Sequence, residues 1–572
     1  MNYIKSLHIE GFKKFVSLDV QFNERMNILV GENEAGKSTI LDALKTVLNQ
    51  QYRNTDKSVL RDLFNTQMVA VFKEKPSVKT LPRIYIEVEL ALDPQQKDAS
   101  YFYGEVYGQR KQQFEKYGIR FECKYDEELG TGMEQSIQEG KIPYEYYALT
   151  WTTFSNRPYQ IIKRPLHFLA IDTTSSAAAP SFNYFNRTVF ASRYDGATKA
   201  KRVILAVAGA GKTYYICHEI DPTKRNLILA FTHENIHNIQ KELCDAHGCV
   251  PELTTVSTFD SFVYHQMILP YEPSIAEHFG CPKFVSSGIC TINPPPKTTK
   301  NAKGKPVANP LYKKKDQLAH YITARGQYYC ATLSELVLQV KKKRESLVKR
   351  VAARLNLFYD CVLIDEFQDF REYDYELIMA LTKRLNNVVL VGDYHQHSVS
   401  ATNNSGKPFK NKSKDVSYDD FVAELRNFGF EVDLTTLNKS RRCSAEICNY
   451  ISEKLHISIT SNGDHSGSVV WIDDDPTVVL NQNQITKLVF NEAASYTFHA
   501  MNWSYSKGDT VNSACVILTD GLDNLDSESF DPEKVKLTTL NKLYVAMTRS
   551  RGDLYLIKAS TFKKLKDAYI AH

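Results

Sequence analysis

Two short stretches, GENEAGKST (31–39) and AVAGAGKT (206–213), constrain this 572-residue chain more than anything else in it. Each lies between an apolar run and a segment with helical apolar spacing, as in "MNILVGEN" followed by "STILDALKTVL", and "RVILAVAGAGKTYYICHEI". A glycine-rich loop between a buried strand and a helix turns backbone N–H groups and the positive helix end toward one point, which suits phosphate. In the second loop, Gly209 and Gly211 allow close backbone approach, Lys212 brings charge to the outer phosphates, and Thr213 offers a hydroxyl to magnesium. The cradle is Ala206, Val207, Ala208, Gly209, Ala210, Gly211, Lys212 and Thr213, with Ala206 where the strict pattern has glycine. The first loop keeps that pattern in full, with Gly31, Gly36, Lys37 and Ser38. The fold class expected is therefore α/β, of P-loop NTPase architecture.

The length calls for three or four domains, and 43% apolar with 24% charged residues is enough for substantial cores. No run of about 18 apolar residues occurs, and the start lacks a signal-peptide stretch, so a cytoplasmic protein without a membrane partner is expected. The 11 cysteines are scattered without a CxxC pair and read as reduced or buried thiols. A net charge of +5 identifies no partner by itself.

Along the chain, residues 1–172 alternate strands and helices, including a strand in "IYIEVELAL" (84–92), and small and hydroxyl residues mark a linker at 173–200. A second α/β unit is expected over 201–400, interrupted by an insertion at about 265–350, and a third over 401–572. The insertion contains "KTTKNAKGKPVANPLYKKK" (297–315), with seven lysines and no acidic residue. That segment reads equally as a contact for a nucleic-acid backbone or as a flexible solvated loop.

The run "CVLIDEFQDF" (361–370) delivers Asp365 and Glu366 to the end of a buried strand, a pair suited to holding magnesium and activating water against a nucleoside triphosphate. After the second loop come "FTHEN", "VSTFDSF", "IDEFQD", "VGDYHQ", "LNKSRRCS", "NWSYSKGD" and "LYVAMTRSR" in order. This series resembles motifs Ia through VI of the UvrD/PcrA-like superfamily-one DNA helicases, in a short, Gabija-type branch, over about 201–572. The resemblance implies two RecA-like lobes with ATP and Mg2+ between them and single-stranded or tailed duplex DNA across their tops. It further implies that Lys212, Asp365, Glu366 and Gln396 act from the first lobe and the finger arginines Arg442 and Arg549 from the second. Thr232, Asn235, Thr258, Phe259, Ser506 and Lys507 match its DNA-contacting positions. The chain departs from that pattern in lacking an adenine-reading glutamine before the loop and in carrying Asp509 and Thr510 in motif V.

With "LHIEGFKKF" before it, the first loop resembles the amino-terminal lobe of RecF/SMC-type and OLD-family ATPases, which implies an ABC-type half-domain. No LSGG-like signature is present, and "HFLAID" (167–172) is followed by Thr173 and not by a glutamate. Asp365 and Glu366 thus serve the second loop. The first is expected to bind ATP alone, to be completed by a partner such as an OLD-like ATPase/nuclease subunit, or to be a fusion relic. Three function classes follow: an ATP-driven DNA motor in antiphage defence or DNA repair, a nucleotide-gated DNA sensor or scaffold, and a DNA-cleaving enzyme. No acidic set for cleavage is recognisable, so cutting is expected from a partner.

Overall fold

A computed structural model describes residues 2–30, 35–53, 57–105, 115–128, 132–159, 162, 164–166, 201–281, 284–301, 304–342, 345–397, 407–411 and 414–570. Gly31, "HFLAID" and the expected linker at 173–200 lie outside them. The chain forms two compact units, one of residues 1–197 with 263–347 and the other of 198–262 with 348–572. The inserted segment therefore belongs with the amino-terminal region, although it was expected to be a subdomain of the second α/β unit. No helix among the described residues is long and apolar enough to cross a membrane.

The first unit is built on an antiparallel sheet in which β1 (Tyr3–Phe12), β2 (Phe15–Gln21), β3 (Ile84–Ala91), β4 (Tyr103–Glu105), β5 (Glu115–Tyr125) and β6 (Tyr147–Thr153) run in the order β2-β1-β3-β5-β4, with β6 also on β5. Alternation in β1 and β3 puts Leu7, Ile9, Ile84, Ile86 and Val88 on one buried face, where helix α1 (Lys37–Leu48) covers them with Ala43, Leu44, Val47 and Leu48. Trp151 Nε1 donates to the Thr46 carbonyl at 2.7 Å and fixes the helix to the sheet. The segment "MNILV" (26–30) does not form the strand expected of it: Met26, Ile28 and Val30 stand 74%, 75% and 89% exposed.

The inserted segment joins this sheet through buried polar groups. Ser274 donates its backbone N–H and its hydroxyl to Glu105, at 3.0 and 2.8 Å. Asn156 Nδ2 donates to the Leu269 carbonyl at 2.8 Å and to Glu272 at 3.2 Å, and the Ser286 N–H donates to Glu272 at 3.0 Å. Glu105 and Glu272 are both fully buried. Farther out, Thr298–Lys300 pairs antiparallel with Pro306–Ala308, so part of the lysine-rich stretch forms an exposed two-stranded ladder.

The second unit contains two parallel sheets. The first consists of β7 (Lys201–Leu205), β8 (Asn226–Ala230), β9 (Thr255–Thr258), β10 (Cys361–Asp365), β11 (Val388–Gly392) and β12 (Glu431–Asp433) in the order β12-β7-β11-β10-β8-β9. Its last strand and the helix Tyr418–Asn427 lie beyond residue 400, where the lobe was expected to end. The second sheet consists of β13 (Val469–Trp471), β14 (Ile485–Val489), β15 (Ala500–Asn502), β16 (Ser513–Ile517) and β17 (Leu554–Ile557), ordered β13-β17-β16-β14-β15. Parallel strands buried on both faces explain the unbroken apolar runs in "NLILA" and "CVLID".

Burial pushes the Glu272 carboxyl up to about 7, against the pull of Ser286 and Arg120. Its folded pKa thus exceeds the ordinary 4.5, so the folded unit holds a proton that the unfolded chain releases between pH 4.5 and 7. Stability then falls as pH rises through that window, by about 3 kcal/mol in total. Hydrogen exchange in the 269–275 and 84–91 segments is expected to show weaker protection at pH 8 than at pH 5 after correction for intrinsic rates. In Glu272→Gln this difference should disappear.

Candidate active site

Three strands of the first parallel sheet end at one edge. Register pairs Leu205 with Gly392 and Asp365 with Val391, so the loop after β7, the carboxylates after β10 and Asp393 after β11 meet there. Gly211, at φ +84, caps helix α2 (Lys212–Glu219), placing Lys212 and Thr213 in its first turn. The Lys212 ammonium, on a side chain only 9% exposed, lies 3.3 Å from Glu366. Thr213 Oγ1 donates to Asp365 Oδ2 at 2.9 Å. Together these are two hard oxygen donors of the kind magnesium takes, next to a phosphate cradle, and the pair fits that ion.

Glu366 adopts φ +54, which turns its side chain off the strand line toward the loop. Gln368 Nε2 donates to its carboxylate, and Gln368 Oε1 accepts the Asp393 N–H at 3.0 Å. Lys507, from the second sheet's side, holds both oxygens of Asp369 at 2.6 Å and lies 3.9 Å from Glu366. Burial opposes ionisation of Glu366, yet Lys212 and Lys507 outweigh it and hold the carboxyl at about 2. Asp365 goes the other way: burial, reinforced by the Glu366 charge, raises it to about 7. Burial likewise raises Asp393 to about 6.

Residues 437–442 close over the loop. Val207 N–H donates to the Leu437 carbonyl and Arg441 N–H to the Gly209 carbonyl, both at 2.9 Å. Ala208 packs into the core beneath the second sheet, among Cys443, Ile447, Tyr544 and Met547. Arg442 thereby lies directly over Gly209, and its guanidinium donates to the Thr548 carbonyl at 3.2 Å. The buried Arg549 donates to the carbonyls of Val545, Ser506 and Asp509 at 2.7, 3.3 and 3.2 Å. Among the described residues neither arginine has a carboxylate ion pair. Burial, followed by the neighbouring Arg442 charge, lowers Arg549 to about 9, which leaves it cationic at neutral pH. Two neighbouring like charges, Arg549 buried and Arg442 half-buried, beside a phosphate cradle favour an anion there.

The structure brings Lys212, Thr213, Asp365, Glu366 and Arg442 around the phosphate loop. Gln396 is buried on the turn after Asp393, and Arg549 sits behind Arg442. It does not place every expected DNA residue where a strand could reach it. Phe259 is core, 4.8 Å from Phe370 and 6.0 Å from Phe231 between ring centroids. Ser506 is buried and donates to the Trp503 carbonyl at 2.8 Å, and Lys507 points into the carboxylate cluster. Tertiary burial decides all three, and the linear motif carries no sign of it. Thr232, Asn235 and Thr258 stay accessible at the ends of β8 and β9, where Thr232 caps the helix His233–His247 by accepting the Asn235 N–H at 3.1 Å. At the first loop, Gly36 at φ +94, the half-buried Lys37 and the exposed Ser38 begin α1.

Sequence reasoning missed Gln368, Asp369, Asp393 and Tyr544. The first three lie within stretches already singled out, "DEFQD" and "VGDYHQ", and Asp393 follows its strand as Glu366 follows β10. Tyr544 reads in sequence as an ordinary buried aromatic.

Two AAA-domain family models match the chain, one at residues 6–217 and the other at 194–402. Three DNA replication and repair proteins RecF are similar over short stretches. That of Clostridium acetobutylicum is 34% identical over 61 residues, covering 10% of this chain and 17% of that protein. The Clostridium kluyveri protein is 30% identical over 89 residues (13% and 24%), and the Synechocystis protein 30% over 82 (14% and 21%). The chain thus spans less than a quarter of the length of these relatives. Among solved structures, an Arterivirus nonstructural protein 10 (helicase) in complex with DNA matches with a TM-score of 0.30 and 14% identity, over 62% of this chain and 60% of that one. The PRRSV helicase matches with a TM-score of 0.30 and 13% identity, over 64% and 54%.

A Cβ at Gly209 would come within 2.7 Å of Arg442 Cβ and 2.9 Å of Ser440 Oγ, at a φ of +72 that side chains resist. Gly209→Ala should therefore loosen the seal, costing roughly 2 kcal/mol. Amide exchange at Val207 and Arg441 should accelerate at least about ten-fold while protection of β10 is kept. Unchanged exchange at both amides would contradict this packing. The matched regions and the parallel sheet behind the second loop make the chain an α/β protein of P-loop NTPase architecture, carrying AAA-type domains.

Proposed function

We propose that the chain is an ATP-driven motor on single-stranded DNA that moves 3′ to 5′ and separates tailed duplexes, in DNA repair or antiphage defence. The observation that carries this reading is the meeting of two lobes at the phosphate loop. Lys212, Thr213, Asp365 and Glu366 of the first lobe lie against Lys507 and the segment that carries Arg442 in the second, so a triphosphate on the loop would touch both lobes.

In this reading the N–H groups at the start of helix α2 and Lys212 would bind the β- and γ-phosphates, those of Val207 and Ala208 being held by Leu437 and Tyr544. Thr213 and Asp365 would hold magnesium, which would supply charge neutralisation to the phosphates. Glu366, kept ionised by Lys212 and Lys507 and aimed by Gln368, orients the attacking water and takes its proton. Arg442, with Arg549 behind it, balances the charge that develops on the transferred phosphoryl group. Because these cations come from the second lobe, hydrolysis changes what holds the lobes together, and that change moves the strand. Thr232, Asn235 and Thr258 would contact the DNA backbone. Lys297, Lys300 and Lys305, in and beside the exposed ladder, would add phosphate contacts.

The exposed Met26, Ile28 and Val30 beside the first loop support a second element of the proposal. That loop is completed by a partner chain, an OLD-like ATPase/nuclease subunit, and hydrolyses little ATP alone.

The test is ATP turnover with single-stranded DNA, and unwinding of tailed duplexes of both polarities. Lys212→Ala should abolish turnover, and Glu366→Gln should lower it about 100-fold or more while ATP still binds. Lys37→Ala should change it less than two-fold. Loss of most turnover in Lys37→Ala with Lys212 dispensable would reverse the assignment. Lys507→Ala should reduce turnover and leave the salt dependence of DNA binding unchanged. Replacing Lys300 and Lys305 together by alanine should flatten that salt dependence, by a slope of about 1 to 2.

A further inference from the structure

The helix Leu537–Met547 of the second lobe carries Tyr544, which is fully buried and sends its hydroxyl across to the first lobe. The hydroxyl oxygen accepts the Ala208 N–H at 2.9 Å and donates to Asp393 Oδ2 at 3.3 Å. The path continues in the first lobe. The Asp393 N–H donates to Gln368 Oε1 at 3.0 Å, and Gln368 Nε2 donates to the Glu366 carboxylate. A continuous polar chain therefore leads from the helix that ends just before Arg549 to the carboxylate proposed to orient water. Every member except Glu366 is nearly or wholly buried: Tyr544 at 0%, Gln368 at 0% and Asp393 at 1% exposure. Buried hydroxyls and amides need partners, so if the helix shifts, Tyr544 loses two bonds and Asp393 loses one at once.

We propose that Tyr544 is a positioning residue: its hydroxyl, seated between Ala208 and Asp393, sets the orientation of Glu366 through Gln368, so that Glu366 is aligned only while the second lobe is docked on the phosphate loop. Tyr544 touches neither the nucleotide nor the water in this arrangement; it acts through Asp393 and Gln368. The inference rests on the ATPase reading above. The ring supplies packing, among Ala208, Cys443, Leu543 and Met547, and only the oxygen supplies the link. Removing that oxygen alone is therefore a selective probe.

The experiment uses the full chain with saturating single-stranded DNA and compares Tyr544→Phe, Gln368→Ala and the double variant in ATP turnover, with fluorescent ATP-analogue binding and thermal melting alongside. Tyr544→Phe is expected to lower kcat about ten-fold, the worth of one neutral hydrogen bond or slightly more, with KM and analogue affinity within two-fold of wild type. The double variant should be no slower than the slower single variant, because both break one chain. A kcat for Tyr544→Phe within two-fold of wild type would overturn the proposal, as would fully additive losses in the double variant. A loss that appears in KM and melting temperature with kcat unchanged would show a packing role only and overturn it too. Wild-type protein without Lys212-dependent turnover would instead remove the ATPase reading and this inference with it.

Discussion

The contact on which the second unit depends is the seal of the phosphate loop against the segment 437–442 and Tyr544. A loop that presents successive N–H groups at a strand end has few partners within its own sheet. Val207 and Ala208 give theirs to Leu437 and Tyr544, and the Gly209 carbonyl takes the Arg441 N–H. Only glycine at position 209, at a φ of +72, lets Arg442 Cβ and Ser440 Oγ come this close. The loop thus belongs to both lobes: its strand sits in the first sheet, and Ala208 lies in the core of the second.

Charge follows from that seal. With the lobes docked, Asp365, Asp393 and Lys212 are buried, Glu366, Asp369 and Lys507 are half-buried among them, and Arg442 and Arg549 lie nearby. Acids and bases in such proximity cannot all keep their solution behaviour. Glu366, with two lysines, stays ionised, while Asp365, buried and beside a carboxylate, holds its proton more tightly. In the proposed reading, a polyanion entering here would exchange partners with the paired lysines and carboxylates, which would make binding and lobe docking one event.

The first unit answers a different constraint. An antiparallel sheet with one helix covers one face, and the segment 263–347, inserted in sequence between two strands of the other unit, joins it through Glu105, Asn156 and Glu272. Polar bonds of this kind fix register more than they add stability, because each buried carboxylate must first lose its water. The unit therefore consists of chain segments that are remote in sequence.

What the sequence determined by itself was local. The strand–loop–helix course around Lys212 and Thr213, the apolar strand that ends at Asp365, and the strand at 84–91 follow from periodicity and glycine placement within a dozen residues. Tertiary structure decided everything that depends on which face becomes buried against a distant segment. Lys507 turned toward Asp369, Phe259 and Ser506 went into cores, and the first sheet took a strand from 431–433. Tyr544 became a bridge, and Met26, Ile28 and Val30 remained exposed where strand pairing was expected. The physical reason is the same in each case. Backbone periodicity is encoded by neighbours along the chain, whereas the partner of a buried polar group is supplied by residues tens to hundreds of positions away.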